Sequence, residues 1–295
     1  MSYTATIGFF DGVHVGHRFV LRSMLEVASQ RGMQSAVITF TQHPQAVLTN
    51  KQVPLLTTTD ERIKLLREQG IDEIFAFNFP VIKDLTAAEF IHILHNQCDV
   101  RCLLMGYDHH FGSDRLRSFE DYARLAAAEG VEIMKLPALC AEPTIGGRQP
   151  SSSAIRKALL QSDITSANTM LGYSYTLKGE VVHGKGIGRT LGFPTANIAV
   201  PQEKLLPAAG VYACTISCHK SSFNAILNIG NNPTVGGTGT TVEVHIPDFN
   251  SDLYGDTVTV EIKRFIRAEQ HFSNTEELKQ QIKADIKNLT DIKHL

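Results

Sequence analysis

Two histidines lie in a glycine-rich segment near the start of the chain. The segment reads G-F-F-D-G-V-H-V-G-H over residues 8–17, between an apolar run at 4–7 and a helix-patterned run at 19–30. A glycine-rich turn between a strand and a helix lets the backbone approach an anion, and the helix N-terminus adds free N–H groups and a positive dipole. His14 and His17 can then donate to nucleotide phosphates as charge builds up on them. The segment therefore predicts a phosphate site.

Other residues of this segment are expected to support the two histidines. The glycines allow close backbone approach, and the aspartate fixes either the turn or an imidazole. The nucleotide contacts expected here are Gly8, Phe10, Asp11, Gly12 and Gly16. The alternative is a tight turn in which the two imidazoles only cap the helix.

Short β-branched runs alternate with helix-patterned runs over the first 136 residues. The runs typical of strands are 4–7, 34–40, 73–77, 100–105 and 131–136, and those typical of helices are 19–30, 60–69, 87–96 and 119–129. This alternation predicts a Rossmann-like α/β domain, in which helices flank a parallel sheet and ligands bind at the carboxyl ends of its strands. The glycine-rich turn lies at one such end.

The pattern changes in the second half of the chain. Residues 137–150 predict a loop, which a serine-capped helix and a short helix at 164–171 follow. Beyond Gly172, strand-like runs at 175–183, 211–217, 225–229, 241–246 and 257–265 predict a small antiparallel β-barrel, and 274–288 predicts a C-terminal helix. A chain of 295 residues is long enough for two cores. We therefore expect one domain over 1–172 and a second over 173–295.

Composition disfavours several classes of protein. The 28 Lys and Arg against 30 Asp and Glu give a net charge of −2, which does not suit a broad nucleic-acid-binding surface. The five cysteines are an odd number, and neither closely spaced pair has the histidines of a zinc site, so a reducing compartment suits them. No apolar run approaches ~18 residues, and no signal-peptide pattern is seen. We expect a cytoplasmic protein with small-molecule substrates and no nucleic-acid or membrane partner.

The segment at 8–17 resembles the adenylyltransferase signature of the bifunctional bacterial riboflavin kinase/FMN adenylyltransferases, the prokaryotic FAD synthetases. Further motifs follow in the order and spacing of the same family. They read G-K-G-I-G-R-T-L-G-F-P-T-A-N (184–197), G-V-Y-A (210–213), N-I-G-N-N-P-T (228–234), V-E-V-H (242–245), L-Y-G (253–255) and F-I-R-A-E (265–269). The resemblance spans essentially the whole chain. It implies AMP transfer from ATP to FMN in the N-terminal module and riboflavin phosphorylation in the C-terminal one.

The segment S-S-S-A-I-R at 151–156 resembles a mobile lid of the family, I-S-S-T-R-I-R, whose hydroxyls and guanidinium hold triphosphate. Pro150 and Ala154 depart from that pattern, so that one phosphate contact is missing or is supplied by Lys157. The alternative is a serine N-cap followed by a surface arginine. The residues to which the resemblance gives a phosphate role are Ser151, Ser152, Ser153 and Arg156.

The segment G-Y-D-H-H-F-G at 106–112 follows the fourth predicted strand and resembles a family loop near the flavin and nucleotide. The resemblance implies flavin contacts from Asp108 and Phe111. The adjacent His109 and His110 raise the alternative of a metal site. Only one of two neighbouring side chains on an extended chain can face a given ligand, so the substrate loop is favoured.

Phosphorylation of a hydroxyl requires a base for its proton and a cation near the γ-phosphate. Glu243 alternates with two valines on a strand pattern, so its side chain points opposite to theirs, into or away from the barrel. The resemblance makes Glu243 the base, and it makes Thr195 and Asn197 ligands of Mg²⁺ and of the nucleotide phosphates. It also implies a glycine-rich flap that includes Gly184 and Gly188.

The same resemblance gives Arg267 and Glu269 a role in contacting flavin or ordering its loop. The alternative for this pair is a surface ion pair, which contributes little stability.

The predicted function is a two-step enzyme: riboflavin and ATP give FMN and ADP, and FMN and ATP then give FAD and pyrophosphate. Three alternatives stand beside it. The first is a riboflavin kinase with weak or lost adenylyltransferase activity, suggested by Ala154. The second is an H-x-G-H aminoacyl-tRNA synthetase, which the neutral charge and the lack of a K-M-S-K-S-type lid disfavour. The third is a non-catalytic flavin-binding protein.

Overall fold

The computed structural model describes residues 2–106, 110–116, 118–136, 149–184, 186–219, 221–230, 239–287 and 289. The chain divides into two compact units, Met1–Pro150 and Ser151–Leu295. Helices that precede Gly172 therefore pack with the second unit, although the predicted domain boundary lies at Gly172. The assignment of these helices to the N-terminal functional module stays a prediction.

The first unit contains a five-stranded parallel sheet with the strand order β3-β2-β1-β4-β5. Its strands are β1 (Tyr3–Ile7), β2 (Gln34–Phe40), β3 (Glu73–Phe77), β4 (Val100–Met105) and β5 (Glu132–Lys135). Its helices are α1 (Val15–Gln30), α2 (Pro44–Thr49), α3 (Thr59–Arg67), α4 (Phe79–Ile82), α5 (Ala87–Asn96) and α6 (Phe119–Ala128). The parallel sheet flanked by helices confirms the fold predicted from the alternating pattern.

The sheet buries an apolar layer on each face. Ala5, Ile38 and Leu103 pack on one face against α5 and α6. Val37 and Leu104 pack on the other face against α1 and α3. Because the central strands β1, β2 and β4 are covered on both faces, they are buried almost throughout, as expected for the inner strands of a parallel sheet.

Side-chain caps fix where the helices of this unit begin. Thr58 and Thr86 each form a capping box with a glutamate three residues later, at the starts of α3 and α5. Helix α1 begins at Val15, earlier than the predicted residue 19, because His14 serves as its N-cap. The first turn of α1 thus includes part of the histidine segment.

The second unit contains a closed antiparallel barrel with the strand order β10-β7-β6-β11-β8-β9. Its strands are β6 (Tyr175–Val182), β7 (Ala196–Ala199), β8 (Gly210–Cys218), β9 (Ser221–Gly230), β10 (Thr241–His245) and β11 (Thr257–Arg267). Its helices are α7 (Ser152–Leu160), α8 (Ile164–Leu171), α9 (Ile187–Leu191) and α10 (Thr275–Lys287). The barrel and the C-terminal helix confirm the prediction, and β7 is an additional strand that begins within the G-F-P-T-A-N motif and extends to Ala199.

Helices at both ends of the second unit are attached to the barrel. Asn168 on α8 donates from Nδ2 to the carbonyl of Ile262 (2.9 Å) and accepts from the N–H of Tyr175 (2.8 Å). On the outer face of β8 and β9, Val211 and Ile226 pack with residues at the end of the chain, Ile286 and Leu289. Within the described residues, no helix is long and apolar enough to cross a membrane.

Candidate active sites

The histidine segment forms a tight turn at the carboxyl end of β1. Phe10, Gly12 and Val13 have φ angles of 55°, 82° and 37°, so the chain reverses direction just before α1. His14 Nδ1 accepts a hydrogen bond from the N–H of His17 at 3.3 Å. A neutral imidazole carries one proton, which is therefore on Nε2 of His14. His14 both caps the helix and presents an N–H donor at its N-terminus.

Both imidazoles are neutral at physiological pH. Burial lowers the pKa of His14 to about 4, against an opposing effect of the Asp11 charge. Burial, together with the neighbouring His14, lowers the pKa of His17 well below its usual value. The two rings stack with centroids 3.6 Å apart and planes 19° apart. The pair can therefore offer hydrogen-bond donors to a phosphate but no positive charge.

Asp11 fixes the turn, which was one of the two roles expected for it. Its carboxylate accepts from the N–H of Leu56 (3.0 Å) and from the N–H and hydroxyl of Thr57 (3.0 and 3.1 Å). The hydroxyl of Thr57 in turn accepts from the N–H of Gly12 at 3.0 Å. These bonds attach the histidine segment to the segment after α2.

One glycine in the first turn of α1 lies close to a histidine ring. A Cβ on Gly16 would lie 3.2 Å from Cε1 and Nδ1 of His14. Any side chain at residue 16 would therefore press on the imidazole that caps α1. Phe10, another expected contact, is buried and packs edge-on against His17 at 5.2 Å between ring centroids.

The sequence analysis missed a buried arginine below this turn. Arg62 is fully buried, donates from Nη2 to the carbonyl of Phe40 (2.6 Å) and stacks 4.1 Å from the ring centroid of Phe9. Burial lowers the pKa of Arg62 to about 10, against an opposing effect of Asp11. Its Nε and Nη1 have no hydrogen-bond partner among the described residues. A charged residue one turn before Leu66, on the apolar face of α3, is the signal that could have identified it.

The loop after β4 is only partly described. Asp108 and His109 lie outside the described residues. Phe111 packs against Phe90 and Tyr122, with ring centroids 5.7 and 4.7 Å apart, and its backbone bonds twice to the Tyr122 hydroxyl. Phe111 thus anchors the loop to the core, and its flavin contact stays a prediction. Across the described part of the chain, no group of three or more His, Cys, Asp or Glu could hold a metal.

The serine segment begins a helix of the second unit. Ser151 is the N-cap of α7, and its hydroxyl accepts from the N–H of Ala154 at 3.2 Å. Ser152 and Ser153 form the first turn of α7, and Arg156 is half-buried on the same helix. The capping role is the alternative stated for these serines, and their phosphate role stays a prediction.

The barrel brings the predicted kinase residues together on its outer face. Val242 and Val244 are buried, and Glu243 points the other way. Its side chain therefore points away from the barrel interior, an orientation that the sequence alone left open. Glu243 lies directly opposite Asn197 in the pairing of β10 with β7. The hydroxyl of Thr195 donates to Oε2 of Glu243 at 3.1 Å. The predicted base and the predicted metal ligands therefore share one short stretch of sheet.

The glycine-rich segment 184–192 packs directly on these residues. A Cβ on Gly184 would lie 2.1 Å from Nδ2 of Asn197, and one on Gly188 would lie 2.4 Å from the carbonyl of Phe193 and 3.3 Å from Oγ1 of Thr195. Only glycine allows this approach. A cleft of about 260 Å³ is lined by Thr195 together with Val181, Ala196 and Val244, whose side chains face away from Glu243.

Each unit matches a separate family model. Residues 2–149 match the FAD synthetase model, and residues 171–293 match the riboflavin kinase model. The bifunctional riboflavin kinase/FMN adenylyltransferase of Listeria monocytogenes is 34% identical over 283 residues, covering 95% of this chain and 88% of the relative. The enzyme of the same description from Escherichia coli K12 is 35% identical over 284 residues, covering 95% and 89%. The chain belongs to this family.

A solved structure described as a macrolide-efflux protein from Streptococcus pneumoniae has the same fold. Its TM-score is 0.84 at 30% identity, and the match covers 97% of this chain and 93% of that one. The predicted riboflavin kinase/FMN adenylyltransferase, with both domains present, is confirmed by the family models and the relatives. The two alternatives of an aminoacyl-tRNA synthetase and of a non-catalytic flavin-binding protein are wrong.

In this riboflavin kinase/FMN adenylyltransferase, the two residues predicted to contact flavin, Arg267 and Glu269, have separate neighbours within the protein. Arg267 binds both carboxylate oxygens of Asp285 on α10, at 2.8 to 3.1 Å, and both side chains are largely buried. Arg267 is thus paired with Asp285 of α10. Oε1 of Glu269 lies 2.9 Å from the position that a Cβ on Gly230 would occupy.

A second residue that the predictions omitted positions Thr195. His245, the last residue of V-E-V-H, donates from Nδ1 to the carbonyl of Pro194 at 2.8 Å, because a carbonyl can only accept. Its ring also packs edge-on against Phe193, with centroids 5.6 Å apart. His245 therefore holds the turn that presents the Thr195 hydroxyl to Glu243.

Proposed function

We propose that Glu243 is the general base of the riboflavin kinase and that His14 and His17 stabilise charge in the FMN adenylyltransferase. The observation that carries the kinase assignment is the Thr195–Glu243 hydrogen bond beside Asn197. For the adenylyltransferase it is the neutral imidazole pair at the N-terminus of α1. Each set of residues lies within one compact unit.

In the kinase step, the 5′-hydroxyl of riboflavin attacks the γ-phosphorus of ATP. A bond forms between that oxygen and phosphorus, the bond to the leaving ADP breaks, and the hydroxyl proton passes to Glu243. The hydroxyl of Thr195 donates to Oε2 of Glu243, so Oε1 is the carboxylate oxygen that accepts the proton. The hydrogen bond also fixes the carboxylate in one orientation, which favours proton transfer at a defined atom.

Both activities use ATP, and enzymes of this kind generally need a divalent metal. The hydroxyl of Thr195, the amide oxygen of Asn197 and the carboxylate of Glu243 are hard oxygen donors of the kind that Mg²⁺ takes. We propose that Thr195 and Asn197 hold Mg²⁺, which would neutralise phosphate charge when bound. Gly184 and Gly188 would let the flap backbone approach the phosphates, and Arg267 and Glu269 would order or contact the flavin.

In the adenylyl step, a phosphate oxygen of FMN attacks the α-phosphorus of ATP and pyrophosphate leaves. Nε2–H of His14 and an N–H of His17 would donate to the phosphates as charge shifts between them. The N-terminus of α1 adds the helix dipole, and Gly8, Gly12 and Gly16 keep the approach open.

The remaining adenylyltransferase assignments rest on the family motifs. We propose that Asp108 and Phe111 contact the flavin. The residues that we propose for the triphosphate are Ser151, Ser152, Ser153 and Arg156.

We further propose that the enzyme acts on riboflavin, FMN and ATP in the cytoplasm and has no nucleic-acid or membrane partner. The near-neutral charge supports the absence of a nucleic-acid partner. The described cysteines, Cys98, Cys102, Cys214 and Cys218, are buried free thiols, which suits a reducing compartment.

The first experiment incubates the purified protein with riboflavin, ATP and Mg²⁺ and separates the three flavins over time. FMN that rises first and FAD that follows is the expected result. FMN that accumulates without FAD would support the kinase with a lost adenylyltransferase, to which Ala154 points. A second reaction that starts from FMN measures the adenylyltransferase alone, and replacing Mg²⁺ by EDTA tests the metal requirement of each step.

A further inference from the structure

An asparagine that none of the proposed roles uses lies beside the kinase base. In the pairing of β10 with β9, Asn228 is directly opposite Glu243, just as Asn197 is opposite Glu243 on the β7 side. Directly opposed residues of antiparallel strands point to the same face, with Cβ atoms ~5 Å apart. Asn228 is half-buried, and in the described part of the chain its side-chain amide has no hydrogen-bond partner. Glu243 is therefore flanked by two amides.

The order of side chains across the three strands separates the two substrates. The proposed phosphate and metal ligands, Thr195 and Asn197, lie at β7, on the side of β10 opposite to β9. Glu243 follows on β10, and Asn228 on β9. In phosphoryl transfer the attacking hydroxyl lies between its base and the phosphorus, roughly in line with the leaving group. The carbon chain that bears this hydroxyl must then extend away from β7, toward Asn228.

Other polar groups lie close to Asn228, around Gly230. Gly230 has no side chain, and Nδ2 of Asn228 and Oε1 of Glu269 lie 3.4 and 2.9 Å from the position that its Cβ would occupy. An amide and a carboxylate thus border the same bare glycine. An amide has two donor hydrogens and a carbonyl acceptor, so it can bond to hydroxyls that both donate and accept. This chemistry matches a polyol chain.

We infer that Asn228 binds the ribityl hydroxyls of the phosphate acceptor and selects a flavin that carries this chain. The inference rests on the proposed role of Glu243 as the base of the riboflavin kinase. Asn228 binds the chain next to the reacting 5′-hydroxyl and leaves the ring system to other contacts. The same position makes Asn228 a determinant of acceptor affinity, with no effect on ATP.

The test compares Asn228→Ala with Asn224→Ala in the full chain. Asn224 lies on the same face of β9, is exposed and is paired with Thr215 on β8, so its variant removes the same amide away from Glu243. Asn228→Ala is expected to raise the KM for riboflavin about tenfold, which is the effect of one lost hydrogen bond. The KM for ATP and the rate of FAD formation from added FMN are expected to stay unchanged. Asn224→Ala is expected to match the wild type in all of these.

A binding measurement separates the chain from the ring system. Quenching of flavin fluorescence gives the affinity for riboflavin and for lumiflavin, which has the isoalloxazine ring but no ribityl chain. Asn228→Ala is expected to weaken riboflavin binding only. Equal weakening for both flavins, or a raised KM for ATP with an unchanged KM for riboflavin, would overturn the inference.

Two further comparisons keep the result interpretable. Asn228→Ser keeps a hydroxyl donor and acceptor and is expected to have an intermediate riboflavin affinity, which a purely structural role would not give. A wild-type protein without kinase activity would contradict the proposed function, whereas the lumiflavin comparison would still decide the role of Asn228.

Discussion

The imidazole of His14 stacks on that of His17, with ring centroids 3.6 Å apart. Both rings are withdrawn from water, and the neighbouring His14 further disfavours a positive charge on His17. Their pKa values are therefore lowered, that of His14 to about 4. The proposed phosphate site of the adenylyltransferase thus consists of neutral dipoles and a helix N-terminus, so that positive charge for the phosphates must come from other groups.

The two roles of His14 can be separated by the choice of substitution. His14→Asn keeps a side-chain acceptor for the N–H of His17, so α1 should remain capped, whereas His14→Ala loses the cap at a cost of about 1 kcal/mol. Both variants lose Nε2–H and are expected to form FAD from FMN roughly 100- to 1,000-fold more slowly. FMN formation from riboflavin is the internal control and should not change. Normal FAD synthesis by His14→Asn would remove this imidazole from the chemistry.

The buried imidazoles make the first unit sensitive to acid. The pKa of His14 is about 4 in the folded chain against 6.5 for the free group, so the unfolded state binds a proton that the folded state does not between these pH values. The free energy of unfolding therefore falls as pH decreases from about 6.5 to about 4, by up to ~1.4 kcal/mol per pH unit. Circular dichroism melts at pH 7, 6 and 5 measure the effect. His14→Asn should lose less stability over this range, and an identical pH profile in both proteins would contradict the assignment.

The base of the kinase is tested by a substitution that keeps the hydrogen bond to Thr195. Glu243→Gln retains an oxygen acceptor but cannot take the proton of the ribityl hydroxyl, so FMN formation is expected to fall by ~10²–10⁴. FAD formation from added FMN should be unaffected, since Glu243 is not among the residues proposed for that step. A kinase rate equal to that of the wild type would exclude Glu243 as the base.

Elements with strong local patterns could be predicted from the sequence. Strands β2, β3 and β4 have the predicted bounds, because apolar runs between turn residues are local signals. The early start of α1 was missed because histidine is not a typical N-cap residue. Strand β7 was missed because four residues are too few to show alternation.

Contacts between distant segments could not be predicted. Asp11 bonds to Leu56 and Thr57, and Arg62 bonds to the carbonyl of Phe40, so the partner of each is set by the arrangement of the sheet. The partner of Arg267 is Asp285 on the C-terminal helix. Motifs indicate the residues that we propose for substrate contact, whereas the residues that hold them in place depend on tertiary structure.

The flap of the kinase tolerates side chains at some glycines and not at others. Gly184→Ala would place Cβ 2.1 Å from Nδ2 of Asn197, so the flap or the amide must move. We expect a raised KM for ATP and at least a tenfold loss of kcat/KM in the kinase. Gly186 has φ +70° and open space around it, so Gly186→Asn, which tolerates this conformation, is the matched control with little expected loss. Equal effects of the two variants would show that contact with Asn197 is unimportant.

The Arg267–Asp285 pair decides whether Arg267 anchors α10 or binds flavin. Breaking a buried ion pair by removing one partner costs ~3–5 kcal/mol, because the other charge remains buried alone. Arg267→Met and Asp285→Leu are each expected to lower the melting temperature, and the double variant is expected to recover most of the loss.

Riboflavin affinity separates the two roles in the same variants. If Arg267 only anchors α10, the riboflavin affinity should recover together with stability in the double variant, since α10 returns to β8 and β9. A direct flavin contact predicts that the affinity stays low whenever Arg267 is absent, even in the stable double variant. We expect the riboflavin affinity to recover in the double variant, because the guanidinium of Arg267 already donates to both carboxylate oxygens of Asp285.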